Sequence, residues 1–387
     1  MVRPGLPSRL ESLPPYPLAG IPEAKARLAA AGRDVLDLGA GDPGLPVPEV
    51  AVEALREAAG RNELQKYAFQ RGLPAFRRSI VDFMARRYDV ELDPDREVLP
   101  LIGSKEGLAH LALAALDPGD TVVIPDPGYA PYFGGPHFAD ARLETAPLLA
   151  SNGFLLDPAA IDAARGEPRL VYANYPNNPT GATAELGYVQ ALLETTARRG
   201  GILAYDNAYA EIAFDGYRPP SLTETDGWRE NGLEFHSLSK SFNMTGWRLG
   251  WVCGGAELIG RLSRVKGFFD TGPYLGIQSA GSAVLDHAEA FLVGQVERLR
   301  ARRDAAVDAL RSVGVEVEAP RATLYLWFRT PAEGSSREFV ERLMEQEALL
   351  LLPGSGLGAA GEGWVRASLT LPRDGYGEVA ARIARAL

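Results

Sequence analysis

The chain has 387 residues, 46% hydrophobic and 23% charged, an ordinary globular composition with room for two domains. A formal net charge of -10 argues against a basic nucleic-acid surface, and a single cysteine, Cys253, allows neither an intrachain disulfide nor a cysteine-rich metal cluster. Four histidines without a His-x-x-x-His pair, and no run of about 18 apolar residues, point away from a zinc site and from a membrane span.

The N-terminal stretch up to "DPGLPVPE" is Pro-rich and lacks the apolar centre of a secretory leader. It reads as extended and packed on a smaller unit, and a reducing, cytoplasmic setting is expected. Next come short β-rich runs, "EVLPLI", "DTVVIP", "RLVYAN", "GGILAYD" and "LEFHSL". Segments with apolar spacing of three and four, such as "SKEGLAHLALAAL" and "AELGYVQALLETTARRG", lie between several of them. That alternation predicts an α/β fold, a mostly parallel sheet sandwiched by helices. "PRATLYLWFRT", "REFVERLMEQEALLLLPG" and "WVRASLT" read as a smaller α+β unit, closed by the helix "EVAARIARAL". The expected division is a large domain over 49–280 and a small domain from 1–48 and 281–387. No internal repeat and no low-complexity linker interrupts this plan.

Polar motifs follow the predicted strands. Gly103-Ser104-Lys105 comes after "VLPLI", Asp126-Pro127-Gly128-Tyr129 after "VVIP", and "NYPNNPTG" after "LVYA". Asp206 and Tyr209 follow "ILAY"; Ser237 and Lys240 follow "LEFH". Ligands of open α/β sheets bind beyond the carboxyl ends of the strands, so five such motifs predict one pocket.

A lysine at a strand end is most often a solvated surface charge. A buried one with a depressed pKa is a nucleophile toward carbonyls and forms Schiff bases. In "SLSKSFNMTGWRLGW" Lys240 stands among Ser237, Ser239 and Arg248, groups that could hold an anion. A carbonyl cofactor bearing a phosphate would use them together. "GSKEGLAHLALAAL" adds a turn at a helix start, whose unpaired N–H groups suit a phosphate, although a plainly capped helix looks the same.

"SLSKSFNMTGWRLGW", "NYPNNPTG", "YDNAYAEI", "IGSKEGLAHL" and "VRASL" resemble, in order, the signatures of the class I/II pyridoxal-phosphate aminotransferases of fold type I. The resemblance spans essentially the whole chain. "GSKEGLAHL", "NYPNNPTGA" and "NMTGWR" look most like the diaminopimelate aminotransferase branch.

The resemblance implies pyridoxal 5'-phosphate as cofactor, with Lys240 forming the Schiff base and shuttling the proton at the substrate Cα. It implies that Asp206 pairs with the pyridine nitrogen and that Tyr209 and Asn178 donate to the phenolic oxygen. Asn174 has a turn-forming reading instead. Ser104, Lys105, Ser237 and Arg248 would hold the phosphate, and Tyr67 would reach the phosphate of a neighbouring subunit, making a homodimer. Tyr129 would stack on the ring, with Tyr132 a second candidate. Arg366 would grip the substrate α-carboxylate through its planar fork, and the Gly41 N–H would join it. The bland readings of Tyr67, Arg366 and Gly41 are a core tyrosine, an exposed charge and turn chemistry.

The implied activity moves an amino group between an L-amino acid and a 2-oxo acid, with glutamate and 2-oxoglutarate the expected pair. A diaminopimelate-type intermediate of lysine biosynthesis is the favoured substrate. Broad aspartate, alanine, methionine or aromatic amino transfer and a C–S lyase are the enzymatic alternatives. A ligand-sensing regulator would need a basic helix-turn-helix, and the first 40 residues are too short and Pro-rich for one. Two departures bear on the substrate. The usual "GTFY" reads "ATLY", leaving Tyr325 to face substrate or core, and Phe268, Phe269 and Tyr274 offer an aromatic wall.

Overall fold

The computed structural model describes all residues except 1–4, 6, 15, 17, 18, 70 and 332. Its strands in chain order are β1 Leu36–Asp37, β2 Val98–Leu101, β3 Thr121–Asp126, β4 Arg142–Pro147, β5 Pro168–Asn174, β6 Ile202–Asp206, β7 Gly232–Ser237, β8 Gly250–Gly254, β9 Tyr325–Arg329, β10 Leu349–Leu350, β11 Leu352–Pro353 and β12 Trp364–Ser368.

Seven strands form one sheet in the order β2-β8-β7-β6-β5-β3-β4. β7 is wholly buried and β5 and β6 nearly so, as expected for strands covered on both faces. β4, "RLETAP", is an exposed edge strand, and its polar sequence hid it from the apolar pattern. Only β8 runs against its neighbours, pairing antiparallel with both β2 and β7. The carboxyl ends of β2, β3, β5, β6 and β7 therefore share one edge. β8 starts there, with Gly250 opposite both Ser237 and Leu101. This reversal returns Arg248 to the edge that carries Lys240.

Helices cover both faces. Ser104–Ala115 and Leu186–Arg198 lie on opposite sides of the sheet, the first in a cluster with Leu99, Val122 and Phe235, the second in a cluster with Val171, Leu203 and Tyr205. Adjacent residues along each strand thus feed different layers. The helix Leu275–Asp286 packs on Glu49–Ala59 and Pro74–Tyr88. The expected boundary at residue 280 falls inside it.

A smaller sheet, β11-β12-β9, is antiparallel throughout. It packs with the long helix Ala288–Ser312, with Ser336–Glu347 and with Tyr376–Ala386 around Leu326, Phe328, Leu343, Val365 and Ile383. The helix Ser336–Glu347 starts with a capping box in which Ser335 and Glu338 bond each other's backbone N–H.

The N-terminal segment corrects one expectation: Ile21–Ala30 is helical, not extended, with Pro22 in its first turn where no N–H is needed. Leu28 packs on Ala348 and Leu350, and β1 pairs in parallel with β10, so the segment does join the smaller sheet's layer. Among the described residues no helix is long and apolar enough to cross a membrane.

Candidate active site

The pocket forms at the carboxyl edge of the large sheet, where β12 and the Gly39–Asp42 turn approach it. Lys240 sits on a single helical turn, Leu238–Ser241, that follows β7 directly. The turn is pinned by the Ser237 side chain, which accepts from the Ser239 N–H at 3.2 Å. The Lys240 amine donates to the Gly41 carbonyl. Burial pulls its pKa from 10.5 to about 8, against the attraction of Asp42, and Arg366 and Arg248 add to the lowering.

Asp206 ends β6 and is buried. Its carboxylate accepts from the Tyr132 hydroxyl at 2.7 Å and from the Ala208 N–H at 3.3 Å. Burial lifts its pKa from 3.8 to about 6; the Tyr132 and Ala208 donors and His236 oppose the rise without cancelling it. Among the described residues no cationic side chain pairs with this carboxylate. Asn174, at the matching end of β5, donates to the Asp206 carbonyl at 2.6 Å and accepts from the Asn178 N–H at 2.7 Å. Its role is to hold the next loop against β6, a structural version of the turn reading. Asn207 is held from below by buried Glu234 at 2.7 Å, which no local signal in the sequence announced.

Arg366, on β12, is 3% exposed. It donates to Asn178 Oδ1 at 2.9 Å and to the Gly39 carbonyl at 2.6 Å, and its Nε has no partner among the described residues. No carboxylate of the described residues lies within salt-bridge distance of it. Arg248 likewise has no carboxylate; it donates to the Thr245 carbonyl at 2.8 Å and to Ser239 Oγ at 3.2 Å, and its backbone is left-handed with φ 55°. A Cβ on Gly103 would lie 2.3 Å from Arg248 Nη2, and one on Gly250 would lie 3.0 Å from the Ser104 N. Two glycines thus keep the guanidinium and the start of the helix Ser104–Ala115 close together.

The chemistry of these residues suits an anion. A cation withdrawn from water without a counter-charge is costly, and buried Arg366 and half-buried Arg248 both stand near one lysine. Ser104, Ser237 and Arg248 are the groups that could hold one anion, and Arg366 with Asn178 those that could hold a second. Pyridoxal phosphate has the matching chemistry: a phosphate for the first, a basic ring nitrogen for Asp206 and a carbonyl for Lys240.

The structure separates the remaining residues. Tyr129 stands edge-on to Tyr132 with centroids 5.8 Å apart and is half-buried, while Tyr132 is stacked on Tyr172 and committed to Asp206. Tyr132 is therefore engaged below the site, and Tyr129 remains the candidate stacking ring. The Lys105 ammonium points to Tyr16, at 3.1 Å from its hydroxyl. Tyr209 and Tyr325 hydroxyls are 2.9 Å apart. Tyr67 is 70% exposed and lies outside this pocket; Phe268 and Phe269 are also exposed and form no wall of it within one chain. A largely apolar groove of about 600 Å³ adjoins the site between Tyr16, Tyr129, Phe133, Phe138 and Leu357.

Comparison with known proteins identifies the family. Residues 33–383 match the family of class I and II aminotransferases. The LL-diaminopimelate aminotransferase of Desulforudis audaxviator is 44% identical over 97% of this chain and 96% of its own. That of Moorella thermoacetica is 42% identical over 98% and 97%. The solved structure of a probable N-succinyldiaminopimelate aminotransferase from Thermus thermophilus superposes with a TM-score of 0.89 at 37% identity, covering 95% of this chain and 99% of that one.

Proposed function

The chain belongs to the class I and II aminotransferases, and we propose that it holds pyridoxal 5'-phosphate at Lys240 and uses a diaminopimelate-type amino acid with a 2-oxo acid partner such as 2-oxoglutarate. The observation that carries this reading is a pair of arginines, Arg248 and Arg366, with no carboxylate partner among the described residues, near a lysine whose pKa is drawn down to about 8. The diaminopimelate preference is supported by relatives above 40% identity that carry that activity in their names.

Bound here, the cofactor would supply a carbonyl for covalent capture and a ring that takes up electron density from the substrate Cα. The protein's part is binding, orientation and proton placement. Lys240 is the amine that engages the carbonyl; with a pKa near 8, about a tenth of it is neutral at pH 7. The same amine, once released, holds and moves the proton at the substrate Cα. Asp206, which has no cationic partner among the described residues, offers its carboxylate to a ring N–H, and a cation there would draw its pKa back down from about 6.

Tyr209 stays a hydrogen-bond donor because burial pushes its phenol well up. Asn178 gives its carbonyl oxygen to Arg366, which leaves its NH2 to donate to the ligand. Ser104 and Lys105 backbone N–H groups, the Ser104 and Ser237 hydroxyls and Arg248 take the phosphate. Tyr129 covers one face of the ring. Arg366 takes the α-carboxylate, its fork already aimed by Asn178 and Gly39, with the Gly41 N–H beside it.

Tyr67 belongs to the proposal as a residue for the neighbouring subunit of a homodimer. It forms, with Phe69 at 5.9 Å, an exposed aromatic pair that suits burial against a second copy. The proposed setting is cytoplasmic, and the proposed small domain contributes Arg366. A second reading, broad aromatic or methionine amino transfer, is favoured by the apolar groove beside Tyr129.

The test is spectral. The protein reconstituted with pyridoxal phosphate should be yellow, and single L-amino acids, diaminopimelate among them, should bleach that colour stoichiometrically. 2-Oxoglutarate should restore it. The fastest donor identifies the substrate class, and a protein that takes up no pyridoxal phosphate overturns the reading.

A further inference from the structure

Tyr325 is 2% exposed and sits in the core of the smaller layer, yet three of the candidate site residues converge on it. Its hydroxyl is 2.9 Å from that of Tyr209. A Cβ on Gly41 would come 2.3 Å from the same hydroxyl, so the missing side chain of Gly41 is the space that this oxygen uses. The Gly41 carbonyl in turn receives the Lys240 amine. On the ring face, the Arg366 guanidinium lies 4.4 Å from the centroid.

Register explains the convergence. Tyr325 pairs with Ser368 across β9 and β12, and Arg366 pairs with Trp327. Tyr325 and Arg366 are thus diagonal neighbours on one face of an antiparallel pair, within reach of each other's long side chains. The ring makes a platform that fixes the guanidinium plane and keeps its fork directed at a carboxylate.

We propose that Tyr325 is a positioning residue with two separable parts: its hydroxyl sets the donor strength of Tyr209, and its ring aims Arg366 at the substrate carboxylate. A phenol has one O–H. When Tyr209 gives its proton to a ligand oxygen, Tyr325 must be the donor in the bond between the two hydroxyls, and that bond polarises Tyr209 into a stronger donor. The ring acts independently of this, through its face. Because both parts belong to one side chain on β9, whatever places the smaller sheet also places the partner of Tyr209. The inference rests on the proposed function above.

The experiment uses the full-length protein loaded with pyridoxal phosphate and two variants, Tyr325→Phe and Tyr325→Leu. Two readouts are taken: the pH midpoint of the visible band, and the affinity for an unreactive carboxylate, 3-phenylpropionate, measured by its perturbation of that band. Tyr325→Phe keeps the ring, so carboxylate affinity should stay within twofold of wild type. The pH midpoint should rise by about half to one unit, because a weaker Tyr209 stabilises the anionic cofactor oxygen less. Tyr325→Leu should show the same rise and, in addition, a loss of carboxylate affinity of about tenfold.

A Tyr325→Phe midpoint equal to wild type overturns the role of the hydroxyl. Equal carboxylate affinity in all three proteins overturns that of the ring. If Tyr325→Leu does not fold, Tyr325→Phe alone decides the hydroxyl, and Tyr325→Met, a larger side chain without a ring, replaces it for the platform, with the same tenfold loss expected. A wild type that takes up no cofactor would instead sink the functional proposal, so the two failures are distinguishable.

Discussion

A cleft at the amino edge of the large sheet and the groove that adjoins the candidate site at its carboxyl edge are similar in size, and the two edges differ in charge. At the amino edge, a cleft of about 660 Å³ is lined by Arg169, Arg229 and Arg261. Each of these arginines has its own carboxylate: Glu167 at 3.5 Å, Glu97 at 2.7 Å and Glu257 at 2.6 Å. At the carboxyl edge, Arg248 and Arg366 have carbonyls, a hydroxyl and an amide for partners but no carboxylate among the described residues. Volume does not distinguish the edges; unmet charge does. A neutralised arginine closes a surface, and one buried without its counter-ion keeps a place for an anion.

A third cluster shows the difference from the other side. Glu106, His110 and Asp270 gather as metal ligands would. The fully buried Lys266 ammonium lies among them, 2.5 Å from Glu106 and 2.7 Å from Asp270, and already supplies the cation.

The contrast can be broken most directly at Lys240. Lys240→Ala should cut amino transfer by at least about a thousandfold, the scale of losing a covalent nucleophile. It should also abolish the lysine-linked visible band while the protein still retains cofactor on a desalting column. Residual turnover within tenfold of wild type would remove Lys240 from the chemistry.

The next effect compares the two edges. Arg366→Gln should lower kcat/KM by about a hundredfold, the value of a charge-assisted carboxylate contact. Arg229→Gln, at the amino edge, should change kcat/KM by less than twofold. Equal losses would mean that unpaired charge is not what marks the site. Arg248→Gln should weaken pyridoxal phosphate binding by about tenfold or more, read by fluorescence titration of the apo-protein. Inorganic phosphate should compete with the cofactor in wild type and lose that competition in the variant.

A smaller effect lies in the pH dependence of the apo-protein. Asp206 has a folded pKa near 6 against 3.8 for an ordinary aspartate, so the folded state binds more protons between those values. Its contribution to stability is therefore fullest below about pH 4 and is lost as pH rises through 6, a difference of order 3 kcal/mol. Asp206→Asn should flatten that part of the melting profile and raise the melting temperature above pH 6 while destroying activity. A profile unchanged by the substitution would mean that the buried carboxylate carries no such penalty. The smallest effect is expected for Tyr132→Phe, which removes the 2.7 Å donor. It should move the Asp206 transition further upward, and no movement would show that Tyr132 is only a packing residue.

Much of the site was legible because it is built at strand ends. Lys240, Asp206, Asn178 and Ser104 follow apolar runs closely, so a parallel sheet necessarily collects them. Arg248 needed one more fact, the reversal of β8, which no apolar pattern specifies. Tyr132 looked like a spare ring for stacking, and only its 2.7 Å bond to Asp206 gave it a different job. Tyr325 was an aromatic in a strand, equally suited to core and pocket, and it turned out to be buried and still in contact with Tyr209 and Arg366.

The sequence by itself determined the layered α/β plan and the residues able to grip a phosphorylated carbonyl compound, because apolar periodicity and side-chain chemistry are local properties. Tertiary structure alone decided which charges are left without partners, which tyrosine touches which carboxylate, and where the smaller sheet brings Arg366. Those are properties of pairs of residues distant in the chain, such as Asn178 and Arg366 or Gly41 and Tyr325. Burial, which raises Asp206 to about 6 and lowers Lys240 to about 8, exists only once the whole chain has closed around them.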